Sequence, residues 1–272
     1  MSTARSTPVF VASLAAGVRD LRAALGAHEL WAFMGWQDIR QRYRRTILGP
    51  WWLAISTGVL VVLLGFLWSE IFAVDARTFL PFFGIGYVLW TFLASATLEA
   101  CTGFTQFEGI LKQRRVPLSA FLLRIAVRHA VALAHNAIVV ALLVVWAGPQ
   151  WSAATVLALP GLAMFIGTVT LSLIPVAVFC TRFRDFPQIV GNLLQVAFFA
   201  TPIMWRPEAV RNLRWIVEYN PFAHLIDIVR EPLLGRAPSV DDWTWSFGLL
   251  ALSFVAATCL LGRYGRRVAY WL

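Results

Sequence analysis

Six apolar stretches, each about twenty residues or longer, decide what this 272-residue chain can fold into. They cover roughly 51–73, 80–101, 119–147, 153–180, 187–205 and 243–262. A helix needs about 20 mostly apolar residues to cross the hydrocarbon core of a bilayer, and all six meet that length. The third and fourth are long enough to tilt or to extend beyond the membrane. The fifth is the shortest, with Pro187 at its start and Pro202 near its end. Only 14% of the residues are charged and 59% are apolar, against about 25% charged in soluble domains. Such a chain cannot cover itself with polar surface, so lipid is its solvent. No connection exceeds about forty residues, which leaves no room for a soluble domain. The expected fold class is an all-α polytopic membrane protein with six transmembrane helices.

Arginine placement orients those helices, because cytoplasmic loops carry the excess of basic residues. Residues 1–50 hold seven arginines, the 102–118 connection holds Lys112, Arg114 and Arg115, and 181–186 holds Arg182 and Arg184. The tail adds Arg263, Arg266 and Arg267. Between them, 74–79 has only Arg77 and 148–152 has no charge, while 206–242 balances five arginines with six acids. The alternation fits six spans with both termini in the cytoplasm.

Two segments read as helices that do not span. In WQDIRQRYRRTILGPWW, residues 36–52, Trp36, Ile39, Tyr43 and Ile47 recur at +3, +4, +4. Arg40, Arg42, Arg44 and Arg45 occupy the remaining faces. This is the pattern of an N-terminal amphipathic interfacial helix over about 30–47, broken by Gly49-Pro50 before the first span. In NPFAHLIDIVREPLL, residues 220–234, Asn220 suits an N-cap and Pro221 the first helical position. Its apolar stripe is too short to cross, so it and the preceding WRPEAVRNLRWIVEY read as short periplasmic re-entrant or interfacial helices before the last span.

Several chemistries are excluded or disfavoured. Only one of the 23 basic residues is lysine, and they cluster beside apolar runs rather than on a polar domain, which argues against nucleic acid. Cys101, Cys180 and Cys259 are widely spaced and lie in or beside apolar segments, as small hydrophobes do. Residues 1–27 lack the order of a secretory leader. Lys112 sits in EGILKQRR, not in a phosphate loop, so the chain is expected to lack its own ATPase site. The four histidines form no metal-binding pair, and no nucleophile elbow is present.

Polar groups inside apolar segments are costly and tend to be functional. In the third span, Arg124 and Arg128 share a face, followed by His129, His135 and Asn136. They read either as snorkelling arginines with interhelical hydrogen bonds or as the wall of a substrate path, and Glu99 could pair with one of the arginines. Tryptophans 51, 52, 68, 146, 151, 205 and 243 fall at span ends as an aromatic belt. Phe66, Trp90, Phe92, Phe198 and Phe199 lie inside spans, as packing or as a stacking surface for sugar rings.

Taken in order, WQDIRQRYRRTILGPWW, EGILKQRRVPLSAFLLR, the AHN of the third span, CTRFRDFPQIV, TPIMW and NPFAHLIDIVREPLLG resemble the membrane subunits of ATP-binding-cassette polysaccharide exporters. Within these, lipopolysaccharide O-antigen export permeases are the most similar. Capsule and teichoic-acid export permeases are more distant, and a permease for a smaller lipid shares the topology. A membrane glycosyltransferase is the remote alternative. The resemblance covers about 28–272, the permease domain; 1–27 match nothing and stand as a cytoplasmic segment.

The resemblance implies a homodimer that binds two copies of a separate ATPase carrying ATP and Mg, with no cofactor on this chain. It implies export of a polyprenyl-pyrophosphate-linked polysaccharide out of the cytosol. The 102–115 connection would couple to the ATPase, through Gln106, Phe107, Glu108, Gly109, Lys112 and Gln113. Arg40, Arg42, Arg44 and Arg45 either anchor topology or also gather the lipid pyrophosphate, since guanidinium groups match phosphate oxygens bidentately. Conduit candidates are Trp52, Phe66, Trp90, Arg124, Arg128, His135, Asn136, Phe198 and Phe199. Pro202, Trp205, Asn220 and Pro221 would shape the periplasmic exit.

Overall fold

The computed structural model describes residues 9–114, 116–148, 152–209 and 214–272. Arg115 and Trp151, named above, lie outside the described residues. The protein is an all-α polytopic membrane protein. Its helices are α1 (Val9–Gly26), α2 (His28–Arg42), α3 (Trp51–Ile71), α4 (Ala76–Ala100), α5 (Glu108–Gln113), α6 (Leu118–Ala147), α7 (Ala158–Arg182), α8 (Phe186–Ala200), α9 (Arg214–Glu218), α10 (Pro221–Leu233) and α11 (Val240–Trp271). Short 3-10 turns precede α5 and α7, and a third covers Pro207–Ala209.

Among the described residues, five helices, α3, α4, α6, α7 and α11, are long and apolar enough to cross a membrane. The fifth stretch forms α8, which has 15 residues and ends at Ala200, not at 205. Pro202 explains the stop: it offers no N–H and forces the residue before it out of the helical region. Thr201 is accordingly extended, with ψ 135°. At 1.5 Å per residue α8 reaches about 22 Å, short of a ~30 Å hydrocarbon core.

α4 is the central helix, with nearly every side chain from Phe79 to Leu93 buried. α3 and α6 run parallel beside it: Trp51 meets His135, and fifteen residues on Phe66 meets Trp146. α7 approaches α10 so closely that a Cβ on Gly161 would fall 2.2 Å from the Ile228 carbonyl oxygen. One end of the bundle gathers α2, the last turn of α4 and the first turns of α6. The opposite end gathers α10, the last turn of α8 and the first turn of α11.

α6 has 30 residues, about 45 Å, well over the thickness of the hydrocarbon core. Because α3 begins level with His135, the α6 turns carrying Arg124, Arg128 and His129 stand beyond the start of α3.

Two departures from the sequence expectation lie near the N-terminus. α2 is helical only to Arg42, so Arg44 and Arg45 fall in the turn that follows. Ile47 is fully exposed and does not continue the apolar face. Arg45 holds a left-handed φ of +76°, a geometry that costs a non-glycine residue about 1–2 kcal/mol. The side of α2 that is buried is Gly35 and Ile39, set against α6.

The second departure is α1, in the segment to which the sequence assigned no structure. It places Ser13, Gly17, Asp20 and Ala24 along one face. Gly17 and Gly262 let the backbones of α1 and α11 touch. Asp20 then caps α6, whose own N-cap position, Pro117, has no capping side chain. The backbone N–H groups of Leu118 and Ser119 donate to the Asp20 carboxylate at 3.0 and 3.1 Å, and the Ser119 hydroxyl donates at 2.6 Å. Losing a capping oxygen costs about 1–2 kcal/mol. Asp20→Ala is therefore expected to lower the stability of the detergent-solubilised protein by that amount in thermal unfolding, and Asp20→Asn by less.

Candidate functional site

At the α2 end, buried charge is consumed within the protein. Asp38 of α2 forms an ion pair with Arg124 and lies 3.6 Å from Arg128, both on α6. Arg128 in turn pairs with Glu99 at the end of α4, the partner its sequence position suggested, and His129 lies 2.8 Å from the same carboxylate. The Arg124 guanidinium sits 4.4 Å above the Phe107 ring, which tilts against Phe121 at 4.8 Å. This chain of contacts joins α2, α4, α6 and the segment before α5. Removing one partner of such a network strands a buried charge, so its first role is to fix α2 against α6.

The arginines of the opening motif behave differently. Arg40, Arg42, Arg44 and Arg45 are all exposed, and among the described residues none has a carboxylate partner within salt-bridge distance. Arg40 and Arg44, with Trp36, Gln37, Gln41 and Pro50, line a cavity of about 660 Å³ in the bend between α2 and α3. Arg42 lines an adjoining cleft with Tyr43, Leu53, Arg128 and His135. Exposed guanidinium groups around a concave surface can bind phosphate oxygens at little desolvation cost.

The segment 105–113 projects from the same end. Gln106, Glu108, Gly109, Lys112 and Gln113 are exposed, and Lys112 reaches back to Glu108 at 2.5 Å. Phe107 alone of the six is half-buried, through its contacts with Arg124 and Phe121. An exposed knob rooted by one aromatic in a buried ion network suits docking to another subunit.

The nine conduit candidates are not gathered onto one surface. Trp52 and Phe66 are exposed on α3, and Phe199 is exposed on α8. Trp90 is buried between Phe198 of α8 and Phe222 of α10, 5.7 Å from each. Arg124 and Arg128 are held by the ion network, His135 lies edge-on to Trp51, and Asn136 is buried.

The four exit candidates do come together. Asn220 caps α10 by accepting from the N–H groups of Phe222 and Ala223, while its amide donates to the Ala200 carbonyl and to Thr201, each at 3.1 Å. Pro221 is at the first helical position of α10, as expected. Pro202 supplies the carbonyl that accepts from Arg230 at 2.6 Å, and the Trp205 indole donates to the Phe199 carbonyl at 2.9 Å.

Sequence reasoning missed the group at the heart of this end, Arg230. It is fully buried, donates to Asp227 at 2.8 Å, and lies 3.9 Å over the Phe82 ring. Burial pushes the Asp227 carboxyl up to about 6 even with Arg230 beside it. His224, also missed, lies 2.7 Å from Asp242, contacts the Glu218 carbonyl at 2.9 Å and stacks on Trp245. Burial opposes its charge, but the bonds to Asp242 and Glu218 outweigh burial and hold its pKa above the ordinary histidine value. An arginine and a histidine among apolar helices gave no hint in sequence of their partners, beyond the acids Asp227 and Glu231 on the same helix.

Known proteins share this arrangement of sequence. Residues 29–234 match the family model described as ABC-2 type transporter. The chain is also similar to the O-antigen export system permease protein RfbA of Myxococcus xanthus, 24% identical over 198 residues, which span 70% of this chain and 74% of that protein. The matched residues run from the arginine-bearing α2 to the end of α10, taking in both ends described above. This chain belongs to the ABC-2 type transporter family, as a membrane-spanning permease component.

Proposed function

We propose that this protein is the permease subunit of an exporter that moves a lipid-linked polysaccharide of O-antigen type across the bacterial inner membrane. The observation that carries the reading is the division of charge at the α2 end. Arg124 and Arg128 are spent on internal acids, whereas Arg40, Arg42, Arg44 and Arg45 are left exposed beside a cavity. The similarity to an O-antigen export permease supports the choice of cargo.

In this reading the α2 end faces the cytosol, with both chain termini. A separate ATP-binding subunit, with its Mg, docks on 105–113, and two copies of each chain make the working unit. The outward stripe of α8, Ile189, Leu193, Val196 and Phe199, is apolar and exposed in the single chain, which is compatible with a second copy. The arginines gather the pyrophosphate of the carrier lipid. The junction of α8 and α10 shapes the far side.

Deleting the gene is expected to remove surface glycan and to accumulate lipid-linked glycan inside the cell, both visible on gels. Complementation with an Arg40→Gln/Arg44→Gln double variant is expected to restore membrane insertion and ATPase co-purification but no more than about a tenth of the surface glycan. Unchanged surface glycan in the deletion strain overturns the export reading. Full export by the double variant overturns the arginine role alone.

A further inference from the structure

A groove of about 560 Å³ runs between α3 and α6. On α3 it is bounded by Trp51 at one end and Phe66 at the other, fifteen residues and about 22 Å apart. Ala54 and Gly58 hollow its floor, and a Cβ on Gly58 would meet only the Val139 methyls, at 3.7 Å. Ile138, Leu142 and Trp146 of α6 and Leu80 of α4 also line it, and no charged side chain takes part.

Its Trp51 end is not closed by an apolar cap. Trp51 lies 5.4 Å from His135, and His135 lines the cleft that holds Arg42 and Tyr43. Tyr43 and Pro50 also line the cavity of Arg40 and Arg44. An apolar groove thus adjoins, through the Trp51–His135 contact, a site bearing the exposed Arg40, Arg42 and Arg44, and the pair matches an amphiphile with a long tail and an anionic head. The groove's length of about 22 Å suits a long extended hydrocarbon chain.

We infer that this groove holds the hydrocarbon chain of a polyprenyl phosphate, with its phosphate among Arg40, Arg42 and Arg44. The inference rests on the export reading for the identity of the lipid and adds to it the place where the tail is held. Close packing of the tail against Ala54, Gly58 and Val62 would supply affinity through dispersion contacts, since the tail is already out of water in the bilayer. The arginines would supply selection for an anionic head.

The test uses the permease with its ATPase in lipid nanodiscs and a polyprenyl phosphate bearing a photoactivatable diazirine on its chain. Labelling is expected on peptides covering 54–66 and 138–146. An excess of unlabelled polyprenyl phosphate should lower it at least fivefold, and the same excess of phosphatidylglycerol should not. Gly58→Phe, which fills the floor without meeting backbone, is expected to lower labelling at least fivefold, and Gly58→Ala less than twofold. If the phenylalanine variant does not fold, Leu142→Trp, at an exposed position on the groove's edge, serves the same purpose.

Equal competition by phosphatidylglycerol would mean ordinary bilayer lipid fills the groove and overturns the inference. So would a disulfide between two copies of a Gly58→Cys variant, because a second copy would then cover it. Labelling is read on purified protein and needs no export. A failed groove therefore leaves the export reading standing, and unchanged surface glycan in the deletion strain is read separately.

Discussion

Gly262→Val is expected to detach α1 from α11 and to cost about 3 kcal/mol, the upper end of overpacking penalties. A Cβ at Gly262 falls 1.7 Å from the Ser13 carbonyl oxygen, and one at Gly17 falls 1.9 Å from that of Thr258. Both obstacles are backbone, so no rotamer relieves them and the helices must part. Ser13 and Gly17 are four residues apart, as are Thr258 and Gly262. The two helices therefore meet through matched small residues, the arrangement that lets helices approach closely in lipid. Parting them also withdraws Asp20 from the start of α6. Gly248→Val, on the same helix but with open space around its Cβ, is expected to stay within about 0.5 kcal/mol of wild type. Thermal unfolding in detergent and tryptic cleavage at Arg19 and Arg22 read the difference. Equal behaviour of the two variants would place α1 elsewhere.

Arg230→Ala is the second large expectation, at about 3 kcal/mol of lost stability at neutral pH. The guanidinium makes three kinds of contact at once: to Asp227, to the Pro202 carbonyl and over Phe82. Breaking a buried pair costs about 3–5 kcal/mol because the remaining charge is stranded. Here the cost falls at the low end, since Asp227 already titrates at about 6 and can escape by taking a proton. The sign follows from linkage. Without Arg230 the folded-state pKa of Asp227 rises further, so the folded variant holds a proton that wild type has lost above pH 6. The stability gap should therefore widen between pH 6 and pH 8 and narrow below pH 6. Arg230→Lys should recover part of the loss, because a point charge cannot keep all three contacts. An Asp227→Asn/Arg230→Gln pair should be more stable at pH 8 than Arg230→Ala. A pH-independent gap would mean that Arg230 acts through packing over Phe82 alone.

The long helices were legible because bilayer crossing is a matter of length and apolarity, which composition records directly. α10 was legible for a local reason: an Asn-Pro start satisfies the first N–H groups within the helix itself. The limits of α2 and α8 were not. Pro202 ends α8 through its effect on Thr201, yet the apolar run continues past it to Trp205. Ile47 kept the helical spacing beyond Arg42 although nothing in the fold receives it.

The site was legible as residue types and much less as pairings. The arginine cluster of 40–45 could be read, but Asp38 within the same run could not be assigned to α6, because its partners lie 86 and 90 residues away. Asp20 gave less still. It sits between Arg19 and Leu21 in a helix with too many charges to look like a span, and its role depends on a helix that begins 98 residues later. In sequence Trp90 and Phe198 read as separate conduit aromatics. In the fold they meet each other, which only the packing of α4 against α8 determines.

The central claim is ATP-driven movement of a lipid-linked glycan through this permease. The most direct measurement reconstitutes the chain with its ATPase in proteoliposomes loaded with polyprenyl-pyrophosphate-linked polysaccharide. Accessibility of the glycan to an added glycosidase is then followed with and without ATP. A rise in accessible glycan is expected that needs ATP and both subunits, and that falls to about a tenth with Arg40→Gln/Arg44→Gln. ATP hydrolysis with no change in glycan accessibility would contradict it.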